Sequence, residues 1–160
     1  MNNPKIPTKE ECLTILIKNK TPSNVIEHCK TVCKVAGEVT DKLIAKGIKV
    51  NKELVIAAAL LHDIEREKDN HTVAGVKLLK SMGFPEVAEV TEKHSLHEIE
   101  KGKNRPLRIE EKIMFYADKR VKGDKIVSVM ERIEDLKKRY NKNFSGEFEL
   151  AKKIEEELMQ

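Results

Sequence analysis

Aromatic residues, glycine and proline are all scarce in this chain of 160 residues. Aromatics account for 4% of the positions, tryptophan is absent, and there are seven glycines and five prolines. Sheets are enriched in aromatic and β-branched side chains, so this composition argues against a β-rich fold. Charged residues reach 36%, which is typical of helices with solvated outer faces.

A long apolar run is also missing. The longest, Leu54–Leu61, is far shorter than the roughly 20 residues of a membrane-spanning helix. The first ten residues, MNNPKIPTKE, contain no apolar segment of a secretory signal. Three cysteines (Cys12, Cys29 and Cys33) are too few for a disulfide framework. We therefore expect a cytoplasmic protein that does not span a membrane.

The excess of positive charge is small. Lysine and arginine number 31 against 27 acidic residues, which gives a net charge of +4. This balance suits a small anionic partner and is too weak to argue for nucleic acid. The length fits a single domain over residues 1–160, because most domains have roughly 100–150 residues. The oligomeric state is left open.

Hydrophobic periodicity and capping patterns predict helices along the whole chain, with Thr8, Ser23, Asn51 and Asn70 as candidate N-caps. The interval after Leu54 is apolar nearly all round, so this third helix should be the most buried. We expect an all-α bundle of seven or eight helices. The predicted segments are 8–17, 23–46, 51–64, 71–82, 85–99, 109–121, one that opens at Asp124, and one that follows a break at 141–145.

A few polar residues interrupt the apolar pattern. His62 and Asp63 directly follow Leu54–Leu61, Asp118 ends the apolar run 113–117, and His28 lies within the inner stripe of the second helix. A buried, unpaired carboxylate is costly and needs a cation or a set of hydrogen-bond donors. These four residues therefore indicate a shared solution, a metal ion held among the helices.

The chemistry of these side chains narrows the choice of metal. Imidazole and carboxylate ligands together suit Mn, Fe, Co, Ni or Zn and leave room for water or substrate. The alternative is that each residue is structural: His28 a hydrogen-bonded core histidine, His62 and Asp63 a local pair, and Asp118 a helix cap. Either interpretation fits any one residue, whereas the four together favour the metal.

In order along the chain, His28, the His62–Asp63 pair in ALLHDIER and Asp118 in FYADKRV resemble the HD-domain superfamily of metal-dependent phosphohydrolases. The resemblance covers about 23–122, with the C-terminal helices of 124–159 expected to pack on it. It implies an all-helical hydrolase that cleaves a phosphoester or phosphoanhydride through a metal-activated water. A small phosphorylated metabolite, with a nucleotide as the default, would be the substrate.

Two more histidines resemble additional ligands of the binuclear branches of this superfamily. His71 lies in NHTVAGVKLL and His94 in VTEKHSLH. The resemblance implies that His28, His62, Asp63 and Asp118 hold one divalent metal, with Mg also a candidate. Asp63 would bridge to a second ion held by His71 and His94. One ion or two remains open, since His71 could be a polar residue of a first helical turn and His94 a surface histidine.

The remaining candidates are assigned to catalysis and substrate binding. Asp63 could orient the attacking water or take its proton, and Lys119 and Arg66 could neutralise phosphate oxygens. His97 lies one helical turn after His94 and could contact the substrate or serve as an alternative ligand. The competing interpretation of these last three residues is a solvated surface.

Two rival functions share the same ligand set. Some proteins of this fold use it for a di-iron centre that performs oxygen-dependent oxidation, and others could be non-catalytic nucleotide-binding regulators. The sequence also lacks the glycine of the HDIG variant and the GYP element of cyclic-di-GMP phosphodiesterases. The substrate therefore stays open at this point.

Overall fold

The computed structural model describes residues 5–95 and 105–160, and within them it contains eight α-helices and one short β-hairpin. The prediction of an all-α bundle is confirmed. The elements are α1 Lys9–Lys18, α2 Ser23–Ala45, α3 Lys52–Leu61, α4 His71–Ser81, α5 Pro85–Glu92, α6 Ile109–Asp118, β1 Val121–Lys122, β2 Lys125–Ile126, α7 Val129–Tyr140 and α8 Ser145–Met159.

Helix α3 lies at the centre of the bundle. It packs against α1, α2, α5 and α6, and Leu54, Val55 and all of 57–61 are buried. Asn51 begins this helix, since its side-chain oxygen accepts a hydrogen bond from the Leu54 amide at 3.2 Å. The central position of α3 carries the residues that follow it into the interior.

Helix α3 ends at Leu61, three residues earlier than predicted. His62 and Asp63 lie in turns held by bonds between residues three apart, from the Ile64 amide to Leu61 and from the Arg66 amide to Asp63. The His62 ring contributes to this ending, because its Nδ1 atom bonds the Ala59 carbonyl oxygen at 2.7 Å. The tighter turn removes these two side chains from the regular helical surface.

Helix α5 ends in the same way, at Glu92 rather than near 99. The His94 amide bonds the Thr91 carbonyl, and the His94 ring reaches the same oxygen through Nδ1 at 2.5 Å. Residues 96–99 of the predicted helix lie outside the described part of the chain.

A β-hairpin replaces the predicted start of the seventh helix. Val121 pairs with Ile126 and Lys122 with Lys125, around Gly123, which has a φ of +62° that favours glycine. Helix α6 consequently ends at Asp118 rather than 121. Helix α7 begins at Val129, where the Ser128 hydroxyl accepts from the Glu131 amide.

Two helix starts differ from the predicted caps. Ser23 is the first residue of α2 and makes no capping bond, and Asn70 precedes α4 in a left-handed conformation without one. Helix α8 packs against α6 and α7, and none of the helices described here has the length and apolarity needed to cross a membrane.

Candidate metal centre

Six side chains from five segments converge at one end of α3. Asp63 lies in the middle, and its two carboxylate oxygens face different partners. The six residues are His28 from α2, His62 and Asp63 after α3, His71 at the start of α4, His94 after α5, and Asp118 at the end of α6. The structure thus brings together all six residues that the resemblance implied as metal ligands.

The first half of the cluster lies on the Oδ2 side of Asp63. The Nε2 atoms of His28 and His62 lie 3.5 and 3.4 Å from Asp63 Oδ2, and 3.2 and 3.3 Å from Asp118 Oδ1. Ligand atoms about 2.1 Å from a common ion at octahedral or tetrahedral angles are about 3.0–3.4 Å apart. These spacings match a set of ligands around one cation.

The second half lies on the Oδ1 side and is slightly wider. His94 Nε2 is 3.6 Å and His71 Nε2 is 3.7 Å from Asp63 Oδ1. His94 is buried, whereas the side chain of His71 is 26% exposed. His71 is thus the most accessible of the six candidate ligands.

Backbone carbonyls fix the orientation of three imidazoles. The Nδ1 atoms of His28, His62 and His94 bond the carbonyl oxygens of Gly123, Ala59 and Thr91. Carbonyl oxygens only accept, so each Nδ1 carries the proton and donates it. Each Nε2 is then available to present a lone pair to a cation, which is the tautomer that a metal ligand requires.

Two buried atoms of the cluster lack a hydrogen bond among the described residues. They are His62 Nε2 and Asp63 Oδ1, one in each half of the cluster. Buried polar atoms normally find a partner because an unsatisfied one is costly. A divalent cation in each half of the cluster would satisfy these two atoms, so the residues present fit such ions.

The charges of the cluster also favour a bound cation. Burial opposes ionisation of both carboxyl groups, yet the pKa of each lies below its usual range. His62 and His94 lower the pKa of Asp63. Lys119, His28 and His62 lower the pKa of Asp118. Burial alone would lower the pKa of His62, yet Asp63 and Cys29 raise it. Buried, ionised carboxylates need positive charge, which either protons on imidazole or a cation can supply.

Lys119 is buried beside Asp118 rather than solvated. Its Nζ atom donates to Asp118 Oδ2 at 2.8 Å and to the His94 carbonyl at 3.1 Å. Burial lowers the pKa of this lysine, and Asp118 opposes that effect. An ammonium has three donors, so one remains for an anion in the adjoining cavity.

Arg66 also lies beside the cluster of candidate ligands, and its Nη1 atom donates a hydrogen bond to His71 Nε2 at 3.2 Å. This contact shows a lone pair on His71 Nε2, because arginine only donates. Burial lowers the pKa of His71, which favours the neutral form that binds metals. His97, the other predicted substrate contact, lies outside the described residues.

Two cavities open onto the cluster. The α4–α7 cavity has a volume of about 690 Å³ and reaches Asp63, His71, His94 and Asp118 between α4 and α7. The α2 cavity has a volume of about 440 Å³ and reaches His28 and Asp63 beside the start of α2. Both volumes lie within or near the range of small-molecule sites, roughly 300–1,000 Å³.

Sequence reasoning missed the part of the site that α7 and the following loop supply. Arg132 lines both cavities, and Leu136, Tyr140 and Phe144 line the α4–α7 cavity. Arg132, Leu136 and Tyr140 lie on the amphipathic α7, so their spacing predicts only an inner face, and Phe144 lies just before α8. A buried arginine on that face was the available signal.

Comparison with known proteins supports the resemblance. A family model described as the HD domain matches residues 25–123. The chain belongs to the HD-domain superfamily. This superfamily is of the metal-dependent phosphohydrolase type, its members typically bind divalent metals, and the buried histidine–aspartate cluster could hold one.

Its relatives include archaeal proteins of two kinds. An uncharacterised protein of Methanocaldococcus jannaschii is 36% identical over 84% of this chain and 87% of its own length. A tRNA (cytidine(56)-2'-O)-methyltransferase of Picrophilus torridus is 33% identical over 96% of this chain and 47% of its own length. The enzyme of the same name from Thermoplasma volcanium is 31% identical over 84% of this chain and 42% of its own length. The chain thus spans less than half of each methyltransferase. No solved structure matches it.

Proposed function

We propose that this protein is a phosphohydrolase that uses one or two divalent metal ions to cleave a small phosphorylated metabolite, with a nucleotide as the leading candidate. The position of Asp63 carries the proposal. One carboxylate oxygen faces His28 and His62, and the other faces His71 and His94. A bridging carboxylate between two imidazole pairs is suited to a pair of metal ions.

The assigned roles follow from these contacts. His28, His62, Asp63 and Asp118 would hold the first ion, and Asp63, His71 and His94 would hold a second. A divalent ion bound there lowers the pKa of a water molecule toward neutrality and offsets charge on phosphoryl oxygens. Asp63 orients the attacking water, and Lys119 and Arg66 face the same cavity and neutralise the phosphate.

A metal and substrate panel tests this proposal. The purified protein would be analysed for bound metals and then assayed with Mn, Fe, Co, Ni, Zn and Mg against phosphomonoesters, phosphodiesters and nucleotides. We expect metal-dependent release of phosphate or of a phosphorylated product. Oxygen consumption by an iron-loaded protein without hydrolysis would instead support the di-iron oxygenase alternative. Thermal stabilisation by nucleotides without turnover would support a regulator.

The methyl transfer named in two relatives is not part of this proposal. It is said of proteins of which this chain spans less than half. The histidine–aspartate cluster, which fits a metal, gives no reason to extend that activity to this chain.

A further inference from the structure

The two cavities share part of their lining at the candidate metal centre. Asp63, Arg66 and Arg132 line both of them. The α4–α7 cavity continues past His71 and His94, whereas the α2 cavity continues past His28 toward Asn24. A group bound at Asp63 therefore has room for a substituent on each side.

Arg132 lies at this junction. It comes from α7, beyond the residues 25–123 that match the family model. Its side chain is 7% exposed; Nε donates to the Asp118 carbonyl at 3.4 Å, and Nη1 pairs with Asp135 at 3.3 Å. These contacts hold the guanidinium in place beside the backbone carbonyl of Asp118, a candidate ligand. A fixed guanidinium is suited to two oxygens of one phosphate.

The two cavities differ in character. The α4–α7 cavity combines the apolar and aromatic side chains of Val76, Leu136, Tyr140 and Phe144 with the basic Lys77, Lys80 and Lys142. It suits a planar group that carries a further negative charge. The α2 cavity is the more polar of the two, with Ser23, Asn24, Glu27 and Asp124 in its lining, and suits a group rich in hydroxyls.

We propose that the substrate is a phosphodiester with one substituent in each cavity, and that Arg132 binds its non-bridging phosphate oxygens together with Arg66. This inference rests on the proposed hydrolase function and narrows its substrate class. In the reaction, the oxygen of a water molecule forms a bond to phosphorus and the bond from phosphorus to one ester oxygen breaks. The water releases a proton and the departing oxygen takes one up. The products are an alcohol and a phosphomonoester.

A matched pair of chromogenic probes separates diester from monoester. The p-nitrophenyl ester of thymidylate has a substituent on both sides of its phosphate, whereas p-nitrophenyl phosphate has one, and both release the same phenol. With the metal-loaded protein we expect kcat/KM to be at least about tenfold higher for the diester, because one more group is bound. Equal or better hydrolysis of the monoester would overturn the inference and leave the proposed function standing.

A steric variant tests the second cavity directly. Asn24 lies in the exposed first turn of α2 and lines the α2 cavity. Asn24→Trp should raise KM for the thymidylate diester about tenfold or more, and by more than it raises KM for the monoester, with metal content retained. Lys34→Trp is the control, since Lys34 is exposed on the same helix and lines neither cavity. An Asn24→Trp protein with an unchanged KM for the diester would contradict the two-cavity arrangement.

Variants of α7 test Arg132. Arg132→Met should lower kcat/KM for the diester about a hundredfold and Arg132→Lys about tenfold, with metal content retained. Asp135→Asn breaks the ion pair of Arg132 without altering the cavity lining, and we expect a smaller loss than for Arg132→Met, because the guanidinium and its bond to the Asp118 carbonyl are kept. If Asp135→Asn matches Arg132→Met, Arg132 only anchors α7 and the inference is wrong. If no metal supports cleavage of either probe, the proposed function itself fails.

Discussion

The region that matches the family model and the C-terminal part of the chain contribute to the site in different ways. All six candidate ligands lie within residues 25–123, and five of them are buried. The C-terminal part, from α7 onward, contributes cavity wall instead, including the half-exposed Tyr140. The ligand region thus supplies the buried candidate ligands, whereas α7 and the loop after it supply the cavity wall that would contact a substrate. We infer that the first region sets the chemistry and the second selects the substrate.

Loss of Asp63 should have the largest effect, because it faces both halves of the cluster. Asp63→Asn keeps the shape and removes the charge, so we expect metal binding to be lost and activity to fall by about a thousandfold or more. Elemental analysis and steady-state kinetics measure both effects. Asp41→Asn is the control, since Asp41 pairs with Lys52 on the surface. Native activity in the Asp63 variant would show that the site is misassigned.

Removal of His71 separates the two halves of the ligand region. His71→Ala should reduce the metal content from two ions to one and leave the ion near His28 in place, because no contact of the first half involves His71. Activity should fall about ten- to a hundredfold. Metal analysis decides the matter: an unchanged ratio of metal to protein would mean that His71 holds no ion.

A change in α7 should affect the substrate and spare the metal. Tyr140 is 54% exposed and lines the α4–α7 cavity. Tyr140→Ala should raise KM up to about tenfold with kcat and metal content nearly unchanged, because it removes part of the contact surface. Met130→Ala, at an exposed position of the same helix outside both cavity linings, is the control. A loss of metal in the Tyr140 variant would remove the distinction between the two regions.

The smallest effect on activity is expected for Cys29, which is buried behind the ligand His62. Its Sγ atom lies 4.0 Å from His62 Nδ1, and burial raises the pKa of its thiol. Cys29→Ser should lower the free energy of unfolding by about 1–3 kcal/mol, since a buried hydroxyl is costly. Thermal unfolding and metal analysis would be compared. Lost metal would show that the thiol takes part in the site.

The sequence indicated much of the helical fold for local reasons. The hydrogen bonds at Thr8 and Asn51 begin α1 and α3 as their capping patterns predict. The ends of α3 and α5 were predicted too late, because the rings of His62 and His94 bond carbonyls of the preceding turn. The hairpin at Gly123 was missed, since its strands are only two residues each.

The site shows a similar division between local and long-range information. Four ligand candidates were visible because His28, His62, Asp63 and Asp118 interrupt apolar patterns, whereas His71 and His94 were implied by the family resemblance. The position of Arg132 was not, since its role depends on how α7 packs beside Asp118, 14 residues earlier in the chain. The hydrogen bond from His28 to the Gly123 carbonyl joins positions 95 residues apart. Such contacts depend on tertiary packing rather than on sequence pattern.

The most direct test is a crystal structure of the protein soaked with manganese, with data collected at the absorption edge of the metal. The account predicts one anomalous peak among His28, His62, Asp63 and Asp118, and a second between His71 and His94, about 3.5–4 Å away. Peaks found only elsewhere on the molecule, with the six side chains unliganded, would contradict it.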